Sequence, residues 1–287
     1  MRTPILHLAG PMLLAAASCT TATPRVEPTD PFGPMAAAAA QDAAATDPDR
    51  ALKQANNPLA DIKSLSVHDY FVSEVSGVDD TANTFWLRYA QPFTSESLGT
   101  WLVRASLPVS TVPIGMQQTE SGLGDANVFA TYLFDSPDPA LSFGAGPLLG
   151  LPTATDDVLG SDQWSAGAAA VVFDARSPQI QYGGLLTYQH RIAGSSVRPD
   201  VNLLAAQPFF FLQLGQGIYF RSSAVMTFDL EDGDHAVPVG FGLGKVVKTE
   251  RAVLNFFAEP QFTVLQDGDG QPELQLFVGF NTQFTGG

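Results

Sequence analysis

The stretch Pro272–Phe284 reads Pro-Glu-Leu-Gln-Leu-Phe-Val-Gly-Phe-Asn-Thr-Gln-Phe. Leu274, Leu276, Val278, Phe280, Thr282 and Phe284 share one parity; Gln275, Phe277, Gly279, Asn281 and Gln283 share the other. An apolar row facing one way and a mostly polar row facing the other is the period-two pattern of a β-strand. In a soluble sandwich the apolar row would face a core. In a membrane barrel it faces lipid, and the polar row lines a wet interior. The strand ends the chain with an aromatic almost at the terminus, a placement suited to the closing strand of an outer-membrane barrel.

Working back from it, the same pattern recurs from about Ser64 onward, separated by turn clusters. It predicts an all-β chain, a single antiparallel transmembrane β-barrel of about twelve strands. Their approximate spans are 65–76, 83–94, 100–113, 123–135, 140–152, 164–175, 179–192, 201–214, 217–230, 236–248, 252–265 and 273–284. In the third, Trp101, Val103, Ala105, Leu107 and Val109 oppose Arg104, Ser106 and Ser110. In the ninth, Ile218, Phe220, Ala224, Met226, Phe228 and Leu230 oppose Tyr219, Arg221, Ser223, Thr227 and Asp229. In the eleventh, Leu254, Phe256, Ala258, Phe262 and Val264 oppose Asn255, Phe257, Glu259, Gln261 and Thr263.

The connections alternate in length. One set is short: Ser95–Leu98, Ser136–Pro139, Ser177-Pro178, Gly215-Gln216 and Thr249-Glu250. The other is mostly longer and carries acidic residues: Asp79-Asp80, Ile114–Gly122, Asp156–Asp162, Ala193–Asp200, Glu231–Asp234 and Gln266–Gly270. Short turns at one end and longer loops at the other, with an even strand count, is how outer-membrane barrels are built. Such a count returns both termini to the short-turn, periplasmic side. A large soluble sandwich would also show many short strands. Its solvent faces would carry many Lys and Glu, whereas the polar rows here hold mostly Gln, Asn, Ser, Thr, Gly and a few Arg. That composition favours a confined lumen.

The chain has 287 residues, 14 Lys+Arg against 29 Asp+Glu, and a formal net charge of -15. Such an excess of acid leaves little to neutralise phosphates and argues against nucleic acid as a partner. The expected partners are outer-membrane lipids and lipopolysaccharide, the outer-membrane assembly machinery and small solutes. Mean hydropathy is +0.08, uninformative here, because alternating strands never produce the long apolar run of a membrane helix.

The N-terminal stretch Pro11–Cys19 resembles a secretory apolar region running into a lipoprotein box, with Arg2 the one firm charge before it and Ala16 where Leu is usual. Lipidation at Cys19 and ordinary signal-peptide cleavage are both open readings, and either predicts export, with residues 1–19 outside the fold. Residues 20–63 read as a periplasmic tether rich in Pro, Ala, Thr and Asp, with a short helix capped by Asp49 and running to Ala55. Residues 64–287 make the barrel.

Four short motifs occur in order. They are Ser121-Gly122-Leu123-Gly124-Asp125; Gly146–Asp157 with Leu159-Gly160 and Trp164; Asp200-Val201-Asn202 leading to Gln207-Pro208-Phe209; and Val237–Gly240 running to Gly244-Lys245. Together they resemble a family of bacterial outer-membrane barrels regarded as transporters, some of whose members carry the misleading label "neuromedin U". The family is similar to the barrels associated with phenol degradation. The resemblance spans about Asn56 to Phe284 and implies a fold and a compartment rather than a substrate. The Cys19 box and the Thr285-Gly286-Gly287 tail depart from the family pattern.

Candidate functional residues are the charges on the inward parity: Arg88, Arg104, Asp125, Arg221, Asp229 and Glu259, with Arg191 and Glu231 nearer the outer rim. Arginines facing carboxylates across a narrow pore would select polar or ionic solutes. The same groups could instead pair with one another and fill the interior, as in small barrels. Asp125 either anchors its loop through a lumen arginine or is an ordinary turn carboxylate. The uncharged inward row of Pro272–Phe284 reads as wall, not selectivity site.

The Asp-Gly pairs at Asp267–Gly270 read as turn formers rather than calcium ligands. No cofactor or metal is implied: Cys19 stands alone. Catalysis of the outer-membrane lipase type would need a Ser and a His in reach on the wall. His68 falls near one end of the first strand, His190 on the apolar parity and His235 in an acidic loop, with no Gly-x-Ser-x-Gly elbow. An outer-membrane channel or transporter for small solutes is therefore expected, not an enzyme, with a filled, non-conducting barrel as the alternative.

Overall fold

The computed structural model describes residues 55–77, 80–115 and 118–284. The signal and lipobox region with Cys19, nearly all of the expected short helix, and the Thr285–Gly287 tail lie outside the described residues. Fifteen strand segments make one antiparallel sheet. They are β1 (Ser64–Val75), β2 (Ala82–Ser95), β3 (Gly99–Gly115), β4 (Gln118–Leu123), β5 (Ala126–Leu133), β6 (Leu141–Leu151), β7 (Gln163–Asp174), β8 (Ile180–Gly194), β9 (Asn202–Gly215), β10 (Ile218–Ser222), β11 (Met226–Asp229), β12 (His235–Gly240), β13 (Gly242–Lys248), β14 (Ala252–Asp267) and β15 (Pro272–Phe284).

The pairs β4/β5, β10/β11 and β12/β13 are each one crossing with a break, because β3, β9 and β14 respectively pair with both halves. Twelve crossings result, as the alternation predicts. The sheet closes on itself where β1 pairs β15, from Ser64 opposite Gln283 to Val75 opposite Pro272. Closure leaves no edge strand with unmet hydrogen bonds, the condition for a sheet in lipid.

The two rows of β15 sort as period two requires: Leu276 is 41% exposed on the outer wall, while Phe277 is 2% exposed inside. On β14, Phe256, Phe262 and Val264 are exposed while Asn255, Glu259 and Gln261 are buried. A soluble protein would not spend its aromatics on the outside and bury its amides; a barrel in lipid must. Around the short-turn end, Trp101, Tyr132, Phe134 and Phe143 form a run of ring contacts with neighbouring centroids 5.3–5.7 Å apart, in keeping with an interfacial aromatic girdle.

Two expectations change. The span Ile114–Gly122 is not a long loop, because β3 and β4 continue as a hairpin from Val109 opposite Leu123 out to Gly115 opposite Gln118. The last part of the expected tether also packs inside the barrel. Ala55 and Leu59 are buried and cluster with Leu102, Phe173, Phe209, Phe211, Tyr219, Val246 and Val253 at the short-turn end. Asn255 holds this segment by donating to the Ala55 carbonyl and to Asn56 Oδ1. Asn57 Oδ1 accepts from the Leu59 amide in a tight turn, which lets polar backbone enter an apolar place with its bonds met.

Candidate functional site

Where side chains are absent on one strand, those on its neighbours can meet across it. β13 lies between β10 and β14 and contributes glycine at two inward positions, Gly242 and Gly244. A Cβ on Gly244 would lie 2.2 Å from the ring of Tyr219. That ring crosses β13 to place its hydroxyl 2.6 Å from Asn255 Oδ1. One step up the barrel, Arg221 crosses in the same way: its Nε lies 2.6 Å from Glu259 Oε2. Gly279 plays this part on β15. The Phe257 ring lies over it, 2.0 Å from where a Cβ would be, and so reaches His68 on β1 with ring centroids 5.6 Å apart.

Glu259 is fully buried, and four donors satisfy it. Besides Arg221 Nε, the Ser223 amide donates to Oε1 at 2.8 Å, the Ser223 hydroxyl to Oε2 at 2.9 Å, and Gln261 Nε2 to Oε1 at 3.0 Å. Arg221 also donates to the Ser223 hydroxyl. Taking the Ser223 amide out of the ladder explains the break between β10 and β11. Space for the carboxylate comes from Gly240, whose Cβ would fall 2.3 Å from Glu259 Oε1. Arg221 sits over the Phe257 ring, 3.4 Å from its centroid. This buried pair is structural and self-neutralising.

Arg88 and Arg104 differ from it. Arg88 stacks on Trp86 at 4.7 Å and Arg104 on Phe129 at 4.2 Å. Their Nε atoms are buried with no hydrogen-bond partner among the described residues. The ion pairs found there are Arg176–Asp174, Arg191–Asp200, Arg198–Asp157 and Arg221–Glu259, so neither guanidinium faces a carboxylate. Arg88 donates to His68 Nδ1. A guanidinium can only donate, so Nδ1 accepts, and Nε2 is the nitrogen that donates to Asn281 Oδ1, 2.8 Å away.

The two arginines stand where two cavities meet. The outer one, about 440 Å³, runs toward the long loops past Gln189, Gln163 and Ser161 to Asp125 and Asp229. The inner one, about 200 Å³, runs toward the short turns between Tyr70, Phe277, Phe257, Phe209 and Phe211 and is bounded by Ala55–Ile62. Arg88, Arg104, Leu185, Gln207 and Val225 line both.

Of the expected site residues, Arg88, Arg104, Asp125 and Asp229 line the outer cavity and Arg221 the inner one, with Glu259 buried behind it. Asp125 meets no arginine among the described residues. Its Oδ2 accepts from the amide and hydroxyl of Ser161, both at 2.7 Å, and its Oδ1 from the Ala154 amide at 3.2 Å. It ties down loop 152–162, and Thr153 and Thr155 bridge that loop to Gly124, Ala126 and Leu123. Arg191 faces Asp200 at 2.9 Å in the rim, and Glu231 is exposed in a turn. Neither lines either cavity: Arg191 is held in its ion pair with Asp200, and Glu231 lies in the turn after β11.

His68, Tyr70, Asn281, Phe257 and Phe277 are site residues that sequence reasoning passed over. Tyr70 stacks on Phe277 at 4.1 Å, so the inward row of β15 is site as well as wall. Their parity was the available signal: His68 and Tyr70 share it with Ser66. It is blurred by Asp69, a carboxylate on the outer parity that accepts from Asn83 Nδ2 at 2.9 Å. His190 is exposed on the outer wall and His235 lies at the start of β12 beside the Gly233 turn.

No protein-family model matches the sequence, and no curated protein matches it. Among solved structures, an outer membrane channel from Pseudomonas putida F1 superposes with a TM-score of 0.60 at 14% identity, covering 79% of this chain and 97% of that one. The NanC porin gives 0.48 at 11% identity over 77% and 98%, and outer membrane phospholipase A from Escherichia coli gives 0.41 at 12% identity over 82% and 95%. The first likeness establishes a shared fold, the closed transmembrane barrel of outer-membrane proteins.

Proposed function

We propose that this chain is an outer-membrane channel for small solutes, with its short-turn end and N-terminal extension in the periplasm. The observation that carries the reading is the pair of cavities that share Arg88, Arg104, Leu185, Gln207 and Val225 and together run along the lumen. A barrel whose role was purely structural would have no need to bury two guanidinium groups at its centre with no carboxylate paired to either among the described residues, where each costs several kcal/mol unless solvent or solute compensates it. Export, and anchoring at Cys19 if that residue is lipidated, would bring the chain to the assembly machinery, lipids and lipopolysaccharide of that membrane.

A second reading, a filled and non-conducting barrel, is favoured by the apolar cluster around Ala55 and Leu59 at the short-turn end. Reconstitution in planar bilayers separates the two. Discrete conductance steps support the channel; purified, folded protein that never conducts and excludes small sugars in liposome swelling supports the filled barrel. Lipase-type catalysis has no arrangement to recommend it at His68, whose two ring nitrogens are engaged by Arg88 and Asn281.

A further inference from the structure

Charge does not balance where the two cavities meet. Arg88 and Arg104 bring two positive charges to one cross-section. The carboxylate below them, Glu259, is saturated by Arg221, Ser223 and Gln261. The acids above them, Asp125 and Asp229, keep their charge but sit at the long-loop end, held by the neutral donors Ala154, Ser161 and the Glu231 amide, and neither forms an ion pair with Arg88 or Arg104. In a chain of net charge -15, this local excess of positive charge is no by-product of a basic composition.

Stacking fixes how the two groups can be used. With one face of each guanidinium covered by Trp86 or Phe129, both Nε atoms buried and one terminal nitrogen of Arg88 given to His68, the remaining terminal N–H groups are the edge left for an oxyanion. Beneath the pair, the inner cavity is walled by the rings of Tyr70, Phe257, Phe277, Phe209 and Phe211. Such a wall cannot replace the hydration shell of an inorganic ion, but it matches a flat apolar body.

We propose that Arg88 and Arg104 bind a small organic carboxylate, the carboxylate bridging the two guanidinium edges and an aromatic or other flat apolar body lying against the rings below. The route by which the ligand arrives rests on the channel reading; the binding itself does not.

Calorimetric titration of the full chain in detergent micelles tests it, using benzoate, acetate, benzyl alcohol and inorganic phosphate as probes. Benzoate should bind at least about tenfold more tightly than each of the others, because only it has both the charge and the ring. Arg104→Gln and Arg88→Gln should each weaken benzoate about tenfold, whereas Arg176→Gln, at an exposed turn, should not. Heat-modifiable gel mobility checks that each variant is a folded barrel. Arg104→Lys, which keeps the charge, serves if the glutamine variant does not fold; it should bind benzoate more weakly than wild type.

Phosphate binding as tightly as benzoate, or benzoate binding unaltered in folded arginine variants, would overturn the assignment. A barrel that binds benzoate and never conducts would sink the channel reading alone. One that conducts and ignores benzoate would sink this site alone.

Discussion

At the scale of single residues, Glu259 and Arg104 are both charged, inward-facing and near the middle of the lumen, yet their removal should have opposite consequences. Glu259→Ala strips Arg221 of its counter-charge in a buried place, and a broken buried pair costs about 3–5 kcal/mol; urea titration of the micelle-embedded barrel should show a loss of that order. Arg104→Ala removes a charge that forms no ion pair among the described residues, so stability should hold or rise while ion selectivity shifts toward cations. Reversal potentials under a salt gradient would register the change.

An anion preference carried by Arg221 is not expected, since Glu259 neutralises it. That pairing was illegible in the sequence. The two residues are separated by 38 positions and by an intervening strand, and they meet because Gly242 and Gly244 leave β13 without an inward side chain at that level. Gly279→Leu tests the same device on β15. With Phe257 already occupying that space, the variant should assemble poorly, seen as loss of heat-modifiable mobility.

At the scale of elements, alternation located every crossing, because a strand with lipid on one side and a lumen on the other must alternate. It could not locate what sits inside. Residues 55–63 carry no period-two signal, being held by turns and by Asn255, and so read as tether. Their position at the inner cavity predicts that deleting residues 20–62, with residues 1–19 retained, raises conductance several-fold in planar bilayers. Unchanged conductance would mean that the segment does not limit flow.

Residues 114–122, the outer part of the β3–β4 hairpin, likewise read as a loop, because Pro113, Gly115 and Gly122 punctuate the stretch, although the strands outlast those signals. Asp125 is an element-scale residue too: its three accepted bonds fasten loop 152–162 to the junction of β4 and β5. Charge-assisted bonds of this kind are worth about 1.5–3 kcal/mol each. Asp125→Ala should therefore speed proteolytic nicking within 152–162 while global unfolding stays near that of wild type.

At the scale of the molecule, the fold follows from where lipid and water are. Aromatics and aliphatics cover the outside, amides, arginines and a cluster of buried rings fill the inside, and glycines mark where inward side chains must cross a strand. The pattern of the outer wall could be read one strand at a time. The pattern of the inner wall could not, since it depends on which side chains meet across the lumen, a relation among distant strands.

The central claim is that the lumen conducts small solutes past Arg88 and Arg104. Single-channel recording of the purified full chain across a salt gradient tests it most directly. The account predicts discrete conductance steps with a reversal potential on the anion-selective side, moving toward the cation side in the folded Arg88→Gln, Arg104→Gln double variant. Folded protein that yields no steps, or whose reversal potential is the same with and without the two arginines, would contradict it.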